Sequence, residues 1–220
     1  MTTFALITEG ITDQIALELI LEGHYRGKTD QDIDVEPLQP TRDATDQSRL
    51  PSDAFGGWEL VLEYCSLHDR IHEALAFNDY LVIQIDTDCG EEVNYGVPLT
   101  IDGAERAIPD LVEAVRARII ACLSPELHET YKGRILFAIC VHSLECWLLP
   151  LHERQGDKKR KTHACADKLQ RALARKTINF AKDYDTYRDI ALEYRKANHV
   201  ARNLEFNESF AIFINDLPVL

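Results

Sequence analysis

The sequence has no long apolar run. None approaches the roughly 20 consecutive apolar residues that a helix needs to span a bilayer. The first ten residues, MTTFALITEG, also lack the basic start and extended apolar stretch of a signal peptide. We therefore expect a cytoplasmic protein without a membrane-spanning segment.

Basic residues are outnumbered by acidic ones: 24 lysines and arginines stand against 37 aspartates and glutamates, which gives a formal net charge of −13 at pH 7. Most of such a surface would repel a phosphate backbone, which argues against broad, charge-driven binding of bare nucleic acid. Any contact with DNA or RNA must therefore be local or bridged by a metal ion. One compact basic run, Lys158, Lys159, Arg160 and Lys161, is either a solvated loop or the place where such a backbone is met.

Several sequence signatures are missing as well. The 6 cysteines include no CxxC pair, and several lie in apolar segments, so we expect most of them to be reduced core residues. The sequence contains no GxxxxGK[ST] loop, so the hypothesis of an ATPase beside this chain places that ATPase in a partner. We find no internal repeat and no low-complexity tract.

What is present is an alternation of apolar strands and amphipathic helices. Apolar runs predict strands at residues 4–7, 80–86 and 134–141, and helical periodicity follows at 11–25, 58–77 and 109–123. The last two strands are apolar on both faces, as in a sheet covered by helices on both sides. We therefore predict an α/β fold with a Rossmann-like, mostly parallel sheet flanked by helices.

The length of 220 residues favours a single domain over residues 1–220. Residues 26–57 are polar and turn-rich, and IDVEPLQ is the only plausible strand among them, so we expect a surface excursion there. After Val141 the pattern is helical. We expect residues 152–220 to form a C-terminal helical extension packed on the sheet domain.

Acidic residues follow three of the predicted strands. Glu9 follows FALIT, Asp86 and Asp88 end the strand LVIQIDTD, and Glu145 lies shortly after LFAICV. Ligands of open parallel sheets collect beyond the carboxyl ends of the strands, so these four carboxylates should converge on one edge. Glu9 could instead stabilise a helix N-terminus, and Asp86 and Asp88 could be turn formers.

Three further acids lie near these motifs. Asp13 lies in the first turn of the helix after Glu9, where stabilisation of the helix dipole explains it as well as metal contact does. Glu91 and Glu92 are expected to be solvated loop acids. Gly10 most simply supplies a tight turn.

Converging carboxylates repel one another, so they must take up protons or bind cations. Ligation by oxygen alone favours Mg²⁺ or Mn²⁺. Two such ions could clamp a phosphodiester and activate a water molecule. The acids by themselves do not name the substrate.

The motifs that carry these acids resemble those of a known family. TEGITDQIAL is similar to the EGxTD opening of TOPRIM domains, IDTDCG to their DxD motif, and HSLECWLL to the SxExW segment of small stand-alone TOPRIM-like proteins related to OLD nucleases. Many of those small proteins occur beside bacterial anti-phage defence genes. The resemblance covers residues 4 to about 152, with weaker similarity through KDY and NESFAIF.

The resemblance implies specific roles for the acids. Glu9 would be the acid/base or metal-binding glutamate, Asp86 and Asp88 would bind Mg²⁺, and Glu145 would be a further ligand. OLD-type nucleases are also expected to use a lysine that stabilises negative charge on the phosphate. Lys182 in FAKDY is the candidate, although no motif fixes its position.

Three functions are compatible with these features. The first is a metal-dependent nuclease that acts on DNA or RNA, for instance in phage defence. The second is a non-catalytic TOPRIM-like subunit or sensor that binds metal or nucleic acid beside a partner ATPase. The third is a different DxD-dependent transferase. The sequence leaves the oligomeric state open, including a homodimer.

Overall fold

The computed structural model describes residues 1–41, 57–153 and 163–220. The strands are β1 (Thr2–Ile7), β2 (Ile33–Gln39), β3 (Tyr80–Asp86), β4 (Thr100–Ile101), β5 (Ala104–Glu105) and β6 (Ile135–Cys140). The α-helices are α1 (Ile11–Tyr25), α2 (Trp58–Cys65), α3 (His68–Phe77), α4 (Ile108–Leu123), α5 (Pro125–Thr130), α6 (Glu145–His152), α7 (Cys165–Ala174), α8 (Tyr184–Ala191), α9 (Ala197–Asn203) and α10 (Glu208–Asp216). Across these ranges, no helix combines the length and apolar character needed to cross a membrane.

The main sheet has four strands in the order β2-β1-β3-β6, and every neighbouring pair is parallel. Register places Phe4 beside Val35 on one side and Tyr80 on the other, and places Asp86 beside Cys140 at the opposite end of the sheet. Strands β4 and β5 form a separate antiparallel hairpin. The predicted α/β class, with a parallel sheet flanked by helices as in Rossmann-like folds, is therefore confirmed.

Apolar side chains cover both faces of this sheet, as the two-sided strands predicted. On one face, residues such as Phe4, Leu6 and Val82 pack in a cluster with α1 and with helices α7 to α10, which we call the C-terminal helices. On the other face, residues such as Ile83 and Phe137 pack with α2, α3 and α4. Because both faces are buried, polar chemistry in the sheet is confined to the strand ends.

The C-terminal helices share the first of these apolar clusters rather than forming a cluster of their own. Trp147 of α6 is fully buried, and its indole N–H donates to Ser209 Oγ at 2.9 Å. The hydroxyl of Tyr194 donates to the backbone oxygen of Trp147. These contacts fasten α6 to the helices that follow it.

One predicted helix differs from the sequence-based expectation. The predicted helix over residues 58–77 is two helices, because the chain turns at Ser66 and Leu67, where Ser66 Oγ donates to the Leu62 carbonyl at 3.0 Å. The segment IDVEPLQ, the only plausible strand predicted within residues 26–57, is the edge strand β2, parallel to β1. The remainder of the expected excursion, from residue 42 to 56, lies outside the described residues.

Two of the six cysteines are paired. Cys146, at the start of α6, forms a disulfide with Cys165, at the start of α7. Cys65, Cys89, Cys122 and Cys140 are free thiols. The expectation of mostly reduced cysteines holds for these four, whereas the disulfide was not foreseen because its partners are 19 residues apart with no recognisable motif.

Gly23 provides a test of the packing between α1 and the C-terminal helices. A Cβ at this position would lie 1.7 Å from the backbone oxygen of Tyr194, so an alanine cannot fit without moving the chain. Helix propensity alone favours Gly23→Ala by about 1 kcal/mol. We expect steric overlap to dominate and to lower the free energy of unfolding by about 1–3 kcal/mol, measured by urea denaturation. A stabilised variant would contradict this packing.

Candidate functional site

Glu9 lies in the short connection between β1 and α1, at the carboxyl edge of the sheet. Its backbone N–H donates to Gln84 Oε1 at 3.0 Å, and its side-chain Oε1 accepts from the backbone N–H of Asp86 at 2.6 Å. Both contacts reach across to β3, which neighbours β1 in the sheet. Glu9 therefore points toward the end of β3, as the strand-end argument predicted.

Asp86 is the last residue of β3 and is held from several directions. Its Oδ1 accepts from the Gln84 amide at 2.9 Å, and its Oδ2 accepts from the Leu144 N–H at 3.3 Å. The Tyr95 hydroxyl donates to its backbone oxygen at 2.9 Å. Two residues further on, Asp88 is exposed, and its N–H donates to the His142 carbonyl at 3.0 Å.

Glu145 approaches the same edge from the loop that follows β6. It is the first residue of α6 and only 5% exposed. Ser143 Oγ donates to its Oε2 at 2.5 Å, and the hydroxyl of Tyr187 donates to its Oε1 at 2.5 Å. These donors satisfy a carboxylate that would otherwise be costly to bury in this apolar setting.

A fifth acid, Asp13, belongs to the same group. It lies in the first turn of α1 and is buried, and Thr12 Oγ1 donates to its Oδ2 at 3.4 Å. A Cβ on Gly10 would lie 3.0 Å from Asp13 Oδ2. The backbone of Gly10 is extended (φ −151°), so the glycine is not required by a left-handed conformation, and a side chain there would press on the Asp13 carboxylate.

The pKa values of these acids report their proximity. Burial, followed by the charge of Asp13, raises the pKa of Glu9 to about 8, and Asp88 and Glu145 add to the effect. Burial and the charge of Glu145 raise the pKa of Asp13 to about 7. Burial and the charge of Glu9 raise the pKa of Asp86 well above its usual range. Carboxylates from separate segments therefore repel one another at this edge.

No cation offsets this repulsion among the described residues. In residues 1–41, 57–153 and 163–220, no lysine, arginine or histidine forms an ion pair with any of the five acids, which are Glu9, Asp13, Asp86, Asp88 and Glu145. In the same ranges, no three aspartate, glutamate, histidine or cysteine side chains are already arranged around one point as metal ligands. Several of the carboxylate oxygens, including both of Asp86 and both of Glu145, instead accept hydrogen bonds from N–H or hydroxyl donors. Metal binding at this edge would therefore require some of these side chains to turn.

One of the predicted basic residues, Lys182, lies within the part of the chain that the structure describes. Lys182 is exposed in the turn before α8 and makes no hydrogen bond or ion pair with the described residues. Its role as the catalytic lysine therefore stays a prediction. The run Lys158, Lys159, Arg160 and Lys161 lies outside the described residues.

Two residues at the site were not identified from the sequence. Gln84 is fully buried and its amide bridges the backbone of Glu9 and the carboxylate of Asp86. An amide inside the otherwise apolar strand YLVIQID was the available signal. Tyr187 had no comparable signal, because it reaches Glu145 from a helix 42 residues further along the chain.

Comparison with known proteins finds no matching protein family, no matching curated protein and no matching solved structure.

The raised pKa values predict how stability depends on pH. Glu9, Asp13 and Asp86 bind protons more tightly in the folded protein than in the unfolded chain. The contribution of these groups to stability in EDTA should therefore be greatest below about pH 4, and it should be lost as pH rises to their folded pKa values of about 7 for Asp13 and about 8 for Glu9. One pKa unit corresponds to about 1.4 kcal/mol, so we expect a loss of at least that size in urea denaturation.

Two variants test whether Glu9 causes this pH dependence of stability. Glu9→Gln should flatten it, because the amide does not ionise, whereas Glu91→Gln should not, because Glu91 is an exposed loop residue. Equal pH dependence in Glu9→Gln and the parent protein would show that Glu9 is not the titrating group.

Proposed function

We propose that this protein is a divalent-cation-dependent phosphodiesterase that cleaves DNA or RNA, with a TOPRIM-like arrangement of acids. The observation that carries the proposal is the group of mutually repelling carboxylates, Glu9, Asp13, Asp86, Asp88 and Glu145, at the carboxyl edge of a parallel sheet. Such a group is stable when protonated or when bound to cations. At neutral pH a hard cation relieves the repulsion without neutralising every acid.

The donor set fits Mg²⁺ or Mn²⁺, because all of its ligating atoms are carboxylate oxygens. Asp86, Asp88 and Glu145 would hold the cation, with Glu9 close enough to contribute. Exposure increases from buried Glu145 through half-buried Asp86 to exposed Asp88, which gives a charged substrate access from the Asp88 side. When bound, the cation would neutralise phosphate charge and lower the pKa of a water molecule.

Glu9 is the candidate for proton transfer. Its Oε1 is held by the Asp86 N–H, whereas its Oε2 makes no hydrogen bond with the described residues. One oxygen therefore fixes the orientation of the carboxylate, and the other can accept a proton from water. Gln84 supports this orientation because it holds the backbone of Glu9 and the side chain of Asp86 with the same amide group.

Activity assays on labelled single-stranded DNA, double-stranded DNA and RNA test the proposal. We expect cleavage with Mg²⁺ or Mn²⁺ and none with EDTA. Glu9→Gln and Asp86→Asn should each lower the cleavage rate by roughly a hundredfold or more, since each removes a charge that acts at the reaction centre. Circular dichroism and thermal melting establish that the variants fold.

The matched control is Glu91→Gln, an exposed acid in the loop after Asp88. It makes the same glutamate-to-glutamine change as Glu9→Gln, but it should leave the cleavage rate within about twofold. If folded Glu9→Gln and Asp86→Asn cleave as fast as the parent, the site is not the one proposed.

A second candidate function is a non-catalytic subunit or sensor that binds metal or nucleic acid beside a partner ATPase. The observation in its favour is that no lysine or arginine of the described residues contacts the acids, Lys182 included, which leaves the phosphate without a stabilising side chain there. Both the nuclease and the non-catalytic subunit are compatible with a role in phage defence.

Affinity purification from the native host separates the two candidates. The subunit hypothesis predicts a stoichiometric ATPase in the purified complex and no cleavage by the isolated chain, even with Mn²⁺ at saturating concentration. Cleavage by the isolated chain that depends on Glu9 would exclude a purely non-catalytic role.

A further inference from the structure

Helix α8 places one aromatic side chain against the acidic site. The helix begins after Asp183, whose carboxylate accepts from the Thr186 N–H at 2.8 Å, as an N-cap should. Its exposed face is charged, whereas Tyr187, Ile190 and Ala191 are buried. Tyr187 is only 2% exposed and belongs to the apolar cluster shared by α1, α6 and the sheet.

The hydroxyl of Tyr187 hydrogen-bonds to the side chain of Glu145, a candidate metal ligand, and not to a backbone group. It donates to Glu145 Oε1 at 2.5 Å, while Ser143 donates to Oε2 at 2.5 Å from the other side. Burial, and then the charge of Glu145, raise the pKa of Tyr187, so the hydroxyl keeps its proton and remains a donor. Each carboxylate oxygen has a second lone pair, so Glu145 can still ligate a cation while both hydrogen bonds persist.

The two donors differ in origin. Ser143 lies two residues before Glu145 and moves with the same loop. Tyr187 lies 42 residues later, on a helix that packs against α1 and α6. Its hydrogen bond therefore ties the orientation of the Glu145 carboxylate to the position of the C-terminal helices.

We propose that Tyr187 is a positioning residue for the cation site, which orients the Glu145 carboxylate from the C-terminal helical layer. This inference rests on the proposed function, because it assigns to Glu145 a cation that the site would bind. Mutation of a residue that hydrogen-bonds to a metal ligand commonly weakens metal binding by about 10- to 100-fold. We expect a change of that size for Tyr187→Phe, which removes one oxygen atom and keeps the ring.

The experiment measures Mn²⁺ affinity by isothermal titration calorimetry on the full chain. Tyr194→Phe is the matched control, because Tyr194 is also buried in the C-terminal layer and also donates to α6, but to the Trp147 backbone oxygen. Both variants should lose comparable stability in EDTA. Only Tyr187→Phe should weaken Mn²⁺ binding, by about 10-fold or more.

A double-mutant cycle tests whether Tyr187 acts through Glu145. In a Glu145→Gln background, Tyr187→Phe should change Mn²⁺ affinity by less than about twofold, because the carboxylate that it orients is gone. A purely structural contribution of Tyr187 would weaken binding equally in both backgrounds, and that result would overturn the proposal.

The remaining outcomes are also decisive. If the parent protein does not bind Mn²⁺, the proposed function and this inference fail together. If the parent binds and folded Tyr187→Phe binds equally well, only the inference fails.

If Tyr187→Phe does not fold, ¹⁹F NMR of the parent protein labelled with 3-fluorotyrosine tests the proposal instead. With resonances assigned from the other single Tyr→Phe variants, Mg²⁺ should shift the Tyr187 signal and leave that of Tyr194 in place, and an unmoved Tyr187 signal would overturn the proposal.

Discussion

Repulsion among acids at one edge of the sheet is the constraint around which the neighbouring structure is arranged. Glu9, Asp13 and Asp86 all have raised pKa values, with burial as the largest cause and other carboxylates adding to it. The surrounding groups are donors: backbone N–H groups, an amide and hydroxyls. Donors of this kind reduce the cost of burial without removing the net negative charge, so the site retains a demand for protons or cations.

This arrangement follows from the parallel sheet. When both faces of a sheet are covered with apolar side chains, polar groups can be placed only where the strands end, and parallel strands end on the same side. The order β2-β1-β3-β6 makes β3 the neighbour of both β1 and β6. The acids that follow these strands are therefore brought together, although 77 residues separate Glu9 from Asp86 along the chain.

The C-terminal helices contribute to the site as well as to the core. They share an apolar cluster with β1 and α1, and from this cluster the Tyr187 hydroxyl reaches Glu145. The disulfide between Cys146 and Cys165 joins α6 to α7 one residue after Glu145. Glu145 is thus attached on one side to the sheet through its loop and on the other to the helical layer.

The sequence by itself determined the strands, the parallel sheet and the strand-end position of the acids, because apolar periodicity is a local property that each segment carries alone. It also identified IDVEPLQ as a strand, but only the structure shows that this strand pairs with β1 at the edge of the sheet. It also missed the break at Ser66, where the helical pattern continues through a turn.

Only the tertiary structure decided which side chains hold the acids. Gln84 and Tyr187 are ordinary residues in sequence, and their roles arise from contacts between segments that are distant along the chain. Lys182 was a candidate from the sequence without a motif to fix it, and in the structure it is exposed and makes no hydrogen bond or ion pair with the described acids. Hydrogen-bond partners depend on three-dimensional distance, and a one-dimensional pattern does not contain it.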